Sequence, residues 1–154
     1  MKRRVILLTL AVLFASATVC LAQNPHMGTW KLNEAKSKFS PGATKNNTVV
    51  YETAGDSIKV TVDGVDGAGA ATHNEWTGKF DGKWYAVTGD PTSDMRSYRK
   101  INNHTLALTG KKAGKVTLTG RITVTANGRT RTVTTTGTDA KGKKVTNRAV
   151  YDKQ

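Results

Sequence analysis

Cysteine is almost missing from this 154-residue chain. Cys20 is the only one, so no internal disulfide can brace the protein and its core must hold it together. Histidine is nearly as scarce. His26, His73 and His104 are scattered with no H-x-H or H-x3-H pair, which argues against a zinc site and reads as exposed or turn residues. No serine sits in a Gly-x-Ser-x-Gly elbow, the strained turn that presents a hydrolase nucleophile. Carboxylates are few, and Asp56, Asp63, Asp81 and Asp139 fall in turn segments, where such side chains shape backbone. The acids around Asp63 and Asp66 lack the ligand spacing of a calcium loop. Glu75, beside Trp76, reads as a solvated strand carboxylate. The expectation is a protein without catalytic residues, metal or cofactor.

Long apolar runs are also lacking, with one exception at the start. Lys2, Arg3 and Arg4 precede an apolar run over 5–17 broken by Thr9 and Ser16, and small residues follow at Ala15, Ala17 and Ala22. That is the layout of a secretory signal peptide. The run falls short of the roughly 20 residues that span a bilayer. Cleavage is expected after Ala22, which removes Cys20 and leaves one domain over 23–154; 15–17 offers a competing site. Val19 stands before Cys20, where a lipid-attachment signal calls for a small residue, so no lipid anchor is expected.

Acidic charge is the scarcest feature of the second half. Residues 23–94 hold 7 basic and 9 acidic side chains, whereas 95–154 hold 14 basic and 2 acidic. Such an imbalance attracts polyanions or serves as a soluble, edge-blunting surface. Nucleic acid fits poorly. The basic half carries two aromatics, Tyr98 and Tyr151, too few to stack bases.

What the chain does have is threonine, valine and glycine in period-two alternation. Ile58, Val60 and Val62 share one face, with Lys59 and Thr61 on the other. Val116, Leu118, Ile122 and Val124 do the same opposite Thr117, Thr119, Arg121 and Thr123, with Gly120 on the apolar face as a candidate bend or bulge. This is the mark of half-buried strands. Strands are expected at the start (Gly28, Trp30), then at 48–53, 57–62, 71–80, 83–88, 95–101, 105–109, 115–126, 129–136 and 144–151. Asp81-Gly82 reads as a two-residue hairpin, and Asn127-Gly128 as a hairpin turn. Residues 33–45 form a longer connection in which Asn33 caps a single helical turn. The fold expected is all-β: an antiparallel up-and-down meander of about 8–10 strands closed into a barrel, with an open two-sheet sandwich as the alternative.

Gly28-x-Trp30 resembles the opening motif of lipocalin-like (calycin-type) barrels. The segment 28–39, the tail 150–154, and the stretches 60–66 and 87–91 are similar to a bacterial family of small secreted lipocalin-like proteins. The resemblance implies export to the periplasm or beyond, a lipocalin-type barrel, and a connection at 33–45 that folds over the mouth. It also implies that a basic side chain from the last strand packs on Trp30, and Arg148 is the match for it.

For function, Trp76, Phe80, Trp84, Tyr85 and Tyr98 gather on neighbouring strands, either as core or as the wall of a small-molecule site. Arg96 shares a face with Tyr98. If that face points inward, the buried guanidinium needs an acidic ligand or an acidic neighbour. The ligand-binding candidates are therefore Trp76, Trp84, Tyr85, Arg96 and Tyr98. The leading expectation is a monomeric, exported, non-catalytic binder of a small amphipathic or acidic molecule. The alternative is a cavity-less envelope protein whose basic half lies on anionic lipid or glycan.

Overall fold

The computed structural model describes residues 23–139 and 141–154, so the signal segment at 1–22 lies outside the described residues. Ten strands follow one another: β1 (Gly28–Leu32), β2 (Lys45–Ala54), β3 (Ser57–Val65), β4 (Ala71–Gly78), β5 (Tyr85–Thr88), β6 (Met95–Asn102), β7 (Thr105–Lys112), β8 (Lys115–Val124), β9 (Thr130–Thr138) and β10 (Lys144–Lys153). Each pairs antiparallel with its sequence neighbours, and β1 pairs with β10 to close the barrel. Closure gives every strand two partners and leaves no free sheet edge. A single 3₁₀ turn, Glu34–Lys36, follows β1, and the side chain of Asn33 accepts the amide of Lys36.

Alternation decides which side chains fill the lumen. Trp30, Val49, Tyr51, Val60, Val62, Trp76, Val87, Tyr98, Leu106, Leu108, Ile122, Val124 and Tyr151 point inward and form the core. Threonines and charged residues take the outer positions of the same strands. The register shifts at Asn46/Thr48, Lys100/Asn102 and Gly110/Lys111.

Two sequence expectations need correction. Gly120 marks no bulge, because β8 and β9 pair without a shift. A Cβ there would lie 2.8 Å from the Thr134 carbonyl oxygen, so glycine permits a close strand approach. Nor is Asp81-Gly82 a two-residue hairpin. β4 ends at Gly78 and β5 starts at Tyr85. The intervening loop pairs with β6 instead: the Lys100 amide donates to the Phe80 carbonyl, and the Gly82 amide to that of Tyr98. Burying Phe80 against Tyr51, Trp76 and Tyr98 draws the loop inward.

The barrel has two unlike ends. The floor carries the β2–β3, β4–β5, β6–β7 and β8–β9 turns together with both ends of the domain. Gly28 enters it at φ +105°, a conformation that glycine adopts cheaply. At the other end, the mouth, are the 33–44 connection and the β3–β4, β5–β6, β7–β8 and β9–β10 turns. Gly89, at the mouth, combines φ +78° with a Cβ position 2.2 Å from the His73 carbonyl oxygen. Gly55, in a floor turn at φ +62°, has nothing within 4 Å. Gly89→Ala is therefore expected to cost about 1–3 kcal/mol from strain plus clash, and Gly55→Ala distinctly less. Denaturant midpoints of the two variants check this; equal shifts would mean that crowding at Gly89 relaxes freely.

Candidate functional site

Arg131 is the unusual residue of the interior. On β9 it sits opposite Val124 of β8 and Tyr151 of β10, so it shares their inward face. It is 3 % exposed. Its guanidinium carbon lies 4.5 Å from the centre of the Tyr51 ring, 5.7 Å from that of Tyr151 and 5.9 Å from that of Trp30. Nη2 donates to the Tyr51 hydroxyl at 2.6 Å, while Nε and Nη1 have no partner among the described residues. Ring faces offset part of the cost of burying a cation. They do not supply the missing acceptors for the N–H groups.

A second buried cation, Arg96, is handled differently. Its Nη2 meets Asp90 Oδ2 at 2.8 Å and its Nη1 donates to Asn74 Oδ1 at 3.3 Å. Asp90 is steadied in turn by the amide and hydroxyl of Thr92. Tyr98 lies beside both Arg96 and Tyr51, so the two guanidiniums flank a pair of tyrosines. Burial pushes the Tyr51 hydroxyl up, against the downward pull of Arg131, and pushes Tyr151 up to about 12. Among the described residues, the interior thus holds two guanidiniums, protonated phenols and one carboxylate.

Arg96 therefore faces inward beside Tyr98, as the alternation allowed, but Asp90 already balances its charge. The unbalanced cation is Arg131, which the sequence reading passed over. A signal was available. Carrying the β8 alternation across Asn127-Gly128 sets Arg131 opposite Val124, on the apolar face.

The other candidates divide. Trp76 and Tyr98 are buried, with ring centres 4.6 Å apart, and Tyr85 meets Trp76 edge-on at 5.7 Å. Tyr85 also donates its hydroxyl to Asp81 at 2.9 Å. Trp84 does not join them. It lies on the outer wall, 37 % exposed, with the Lys111 ammonium 4.3 Å above its ring.

Arg148 does not stack on Trp30. It points outward from β10, bridges to Lys38 and donates to the Lys36 carbonyl at 3.0 Å. The cations over Trp30 are Arg131 and Lys153, the latter at 5.2 Å.

His26 is another correction. It belongs to a turn but is buried, and both ring nitrogens lack partners. Its ring meets Phe80 edge-on at 6.2 Å, and its backbone carbonyl accepts the Trp30 indole N–H at 2.9 Å. Burial, then Arg131, His104, Lys100 and Lys153, lower its pKa to about 4, so the ring is neutral at pH 7. His73, by contrast, is exposed on β4, where a hydrogen bond to Asp63 at 2.6 Å raises its pKa. Among the described residues, no group of three or more His, Cys, Asp or Glu is placed to hold a metal ion.

The mouth is less closely packed than the floor. Leu118, Val133, Thr135, Val145 and Asn147 take inward positions but are only half-buried. The 33–44 connection follows the rim above β1. Lys38 bridges to Arg148, the Ser40 amide donates to Asn147 Oδ1 at 2.7 Å, and Phe39 packs on the core. Two hollows lie outside the lumen. One, of about 640 Å³, runs along Thr119, Arg121, Thr132 and Thr134 on the outer wall. The other, of about 550 Å³, lies between the 33–44 connection and the β3–β4 turn.

No protein family model and no curated protein sequence matches the chain. Among solved structures it is similar to a chain described as "Structure of EF1p2_mFAP2b bound to DFHBI", at 8 % identity and a TM-score of 0.47, covering 84 % of this chain and 94 % of that one. The likeness is too loose to carry a reading of the lumen.

Proposed function

We propose that the chain is an exported, calycin-type barrel that binds a small acidic amphipathic molecule without transforming it. The carrying observation is Arg131: a buried guanidinium that, among the described residues, has no carboxylate partner and two nitrogens lacking acceptors. An acid group supplies both the counter-charge and the acceptors. The half-buried Leu118, Val133 and Val145 provide an apolar path from the mouth for the rest of the molecule. Guanidiniums and protonated phenols suit holding an anion better than breaking a bond. Export rests on the sequence at 1–22.

The competing reading, a filled barrel whose basic half lies on anionic lipid or glycan, draws support from the aromatic packing of the lumen.

Calorimetry with dodecanoate and dodecanol separates the two readings. A hydrogen-bonded charge contributes about 1.5–3 kcal/mol, so the acid should bind about 10- to 100-fold more tightly than the alcohol. Arg131→Met should abolish that preference yet leave the denaturant midpoint unchanged or higher, because removing an uncompensated buried charge relieves its desolvation. Equal affinity for acid and alcohol, or no heat from either, rejects the lumenal reading.

A further inference from the structure

The surplus positive charge is not spread over the barrel. Among the described residues, the lysine–carboxylate pairs are Lys45–Glu34, Lys59–Glu75 and Lys79–Asp56, all in the first half of the chain. Six of the eight lysines in residues 95–154 collect at the mouth. Lys111, Lys112 and Lys115 flank the β7–β8 turn, and Lys141, Lys143 and Lys144 flank the β9–β10 turn. Pairing of β8 with β9 makes these two hairpin tips neighbours.

None of the six ammoniums is paired with a carboxylate among the described residues. Lys112 donates to the Pro91 carbonyl, and Lys111 lies over Trp84. The nearby acids are otherwise engaged. Asp94 accepts the Ala113 amide, and Asp139 accepts the amides of Lys141 and Lys143.

Within this cationic rim is an apolar side chain that nothing covers. Val116, next to Lys115, is 59 % exposed, and the tip between Lys112 and Lys115 is Ala113-Gly114. Ala113 itself adopts φ +48°, which throws the tip into a tight turn. Trp84 stands exposed on the adjoining wall. Basic residues attract an anionic surface, while a small apolar tip and a tryptophan suit the boundary between headgroups and acyl chains. A soluble glycan would meet the charges but leave Val116 without use.

We propose that the β7–β8 and β9–β10 hairpins form a docking surface for an anionic lipid bilayer, with Val116 entering the headgroup layer. This goes beyond the lumenal reading, because it requires no ligand in the barrel.

The test is co-sedimentation with phosphatidylcholine vesicles and with vesicles of equal parts phosphatidylcholine and phosphatidylglycerol, with no other ligand added. Binding is expected only to the anionic vesicles, and it should vanish when the screening length shrinks from about 10 Å at 0.1 M salt to about 3 Å at 1 M. At roughly 1 kcal/mol per lysine near the surface, changing either Lys111, Lys112 and Lys115 or Lys141, Lys143 and Lys144 to Gln should lower partitioning by tenfold or more. Val116→Ser should weaken it without altering its salt dependence.

The control neutralises three charges at the other end, Lys79→Gln, Lys100→Gln and Arg129→Gln, for the same change in net charge. The control should bind as the unaltered protein does. An equal loss in the control means that net charge alone drives binding and overturns the proposal. So does binding to soluble polygalacturonate but not to vesicles, or full binding by Val116→Ser. Unchanged denaturant midpoints confirm that each variant is folded. Failure here leaves the dodecanoate result standing, since that measurement contains no bilayer.

Discussion

Trp30→Ala is expected to remove most of the stability of this barrel. The side chain is fully buried, lies opposite Val49 of β2 and Lys153 of β10, and bears on the two strands that close the sheet. Truncating a buried tryptophan typically costs about 3–5 kcal/mol. The indole N–H also holds the His26 carbonyl at 2.9 Å, and a buried acceptor left alone adds about 1–3 kcal/mol. A domain has only about 5–15 kcal/mol in all. The urea midpoint should therefore fall steeply, and Trp30→Phe should recover the ring packing but not the hydrogen bond. If both variants unfold at the unaltered protein's midpoint, Trp30 does not anchor the floor.

The strands were legible because a barrel wall forces period-two alternation; β3 shows it throughout, and β8 from Leu118 on, before which the shift at Gly110/Lys111 turns Val116 outward against the expected face. The errors lie where that rule loses its grip. At the end of β10, Val150 and Tyr151 are both apolar and both buried, so alternation alone does not say which faces inward. Tyr151 does, while Val150 is covered from outside: its amide donates to the Ser37 hydroxyl, and its carbonyl accepts the Asn33 amide. Arg148 shares the outward face of Val150, so the basic partner that the resemblance matched to Trp30 does not come from that position.

Asp81-Gly82 misled for another reason. Turn chemistry is local, whereas Phe80 is drawn into the floor by Tyr51 and Tyr98, which stand far along the chain. The candidate site was half legible. Arg96 and Tyr98 could be placed on one face, but that Asp90 would neutralise Arg96 depends on how the Gly89–Pro91 turn folds back. Which cation stays unpaired is a property of the closed barrel.

The floor should also make stability depend on pH through His26. Its folded pKa, about 4, lies below the 6.5 of an ordinary histidine, so between these values the unfolded chain binds more protons than the folded one. The stability contributed by the neutral ring is present above pH 6.5 and is lost as pH falls towards 4. A gap of this size is worth on the order of 2–3 kcal/mol at the acid end. The charged groups that act on the ring are Arg131, His104, Lys100 and Lys153, all basic, so among the described residues they offer an imidazolium no compensating carboxylate. His73 works in the opposite direction. Its pKa is raised by Asp63, so its contribution is present below pH 6.5 and is lost as pH rises through the folded value, outside the acid window. His26→Leu keeps an apolar side chain in the position without a titrating nitrogen. Urea midpoints of the unaltered protein should fall between pH 6.5 and 4, and those of His26→Leu should fall much less. Parallel curves for the two would show that the ring is hydrated or paired in solution and that the floor is open to water.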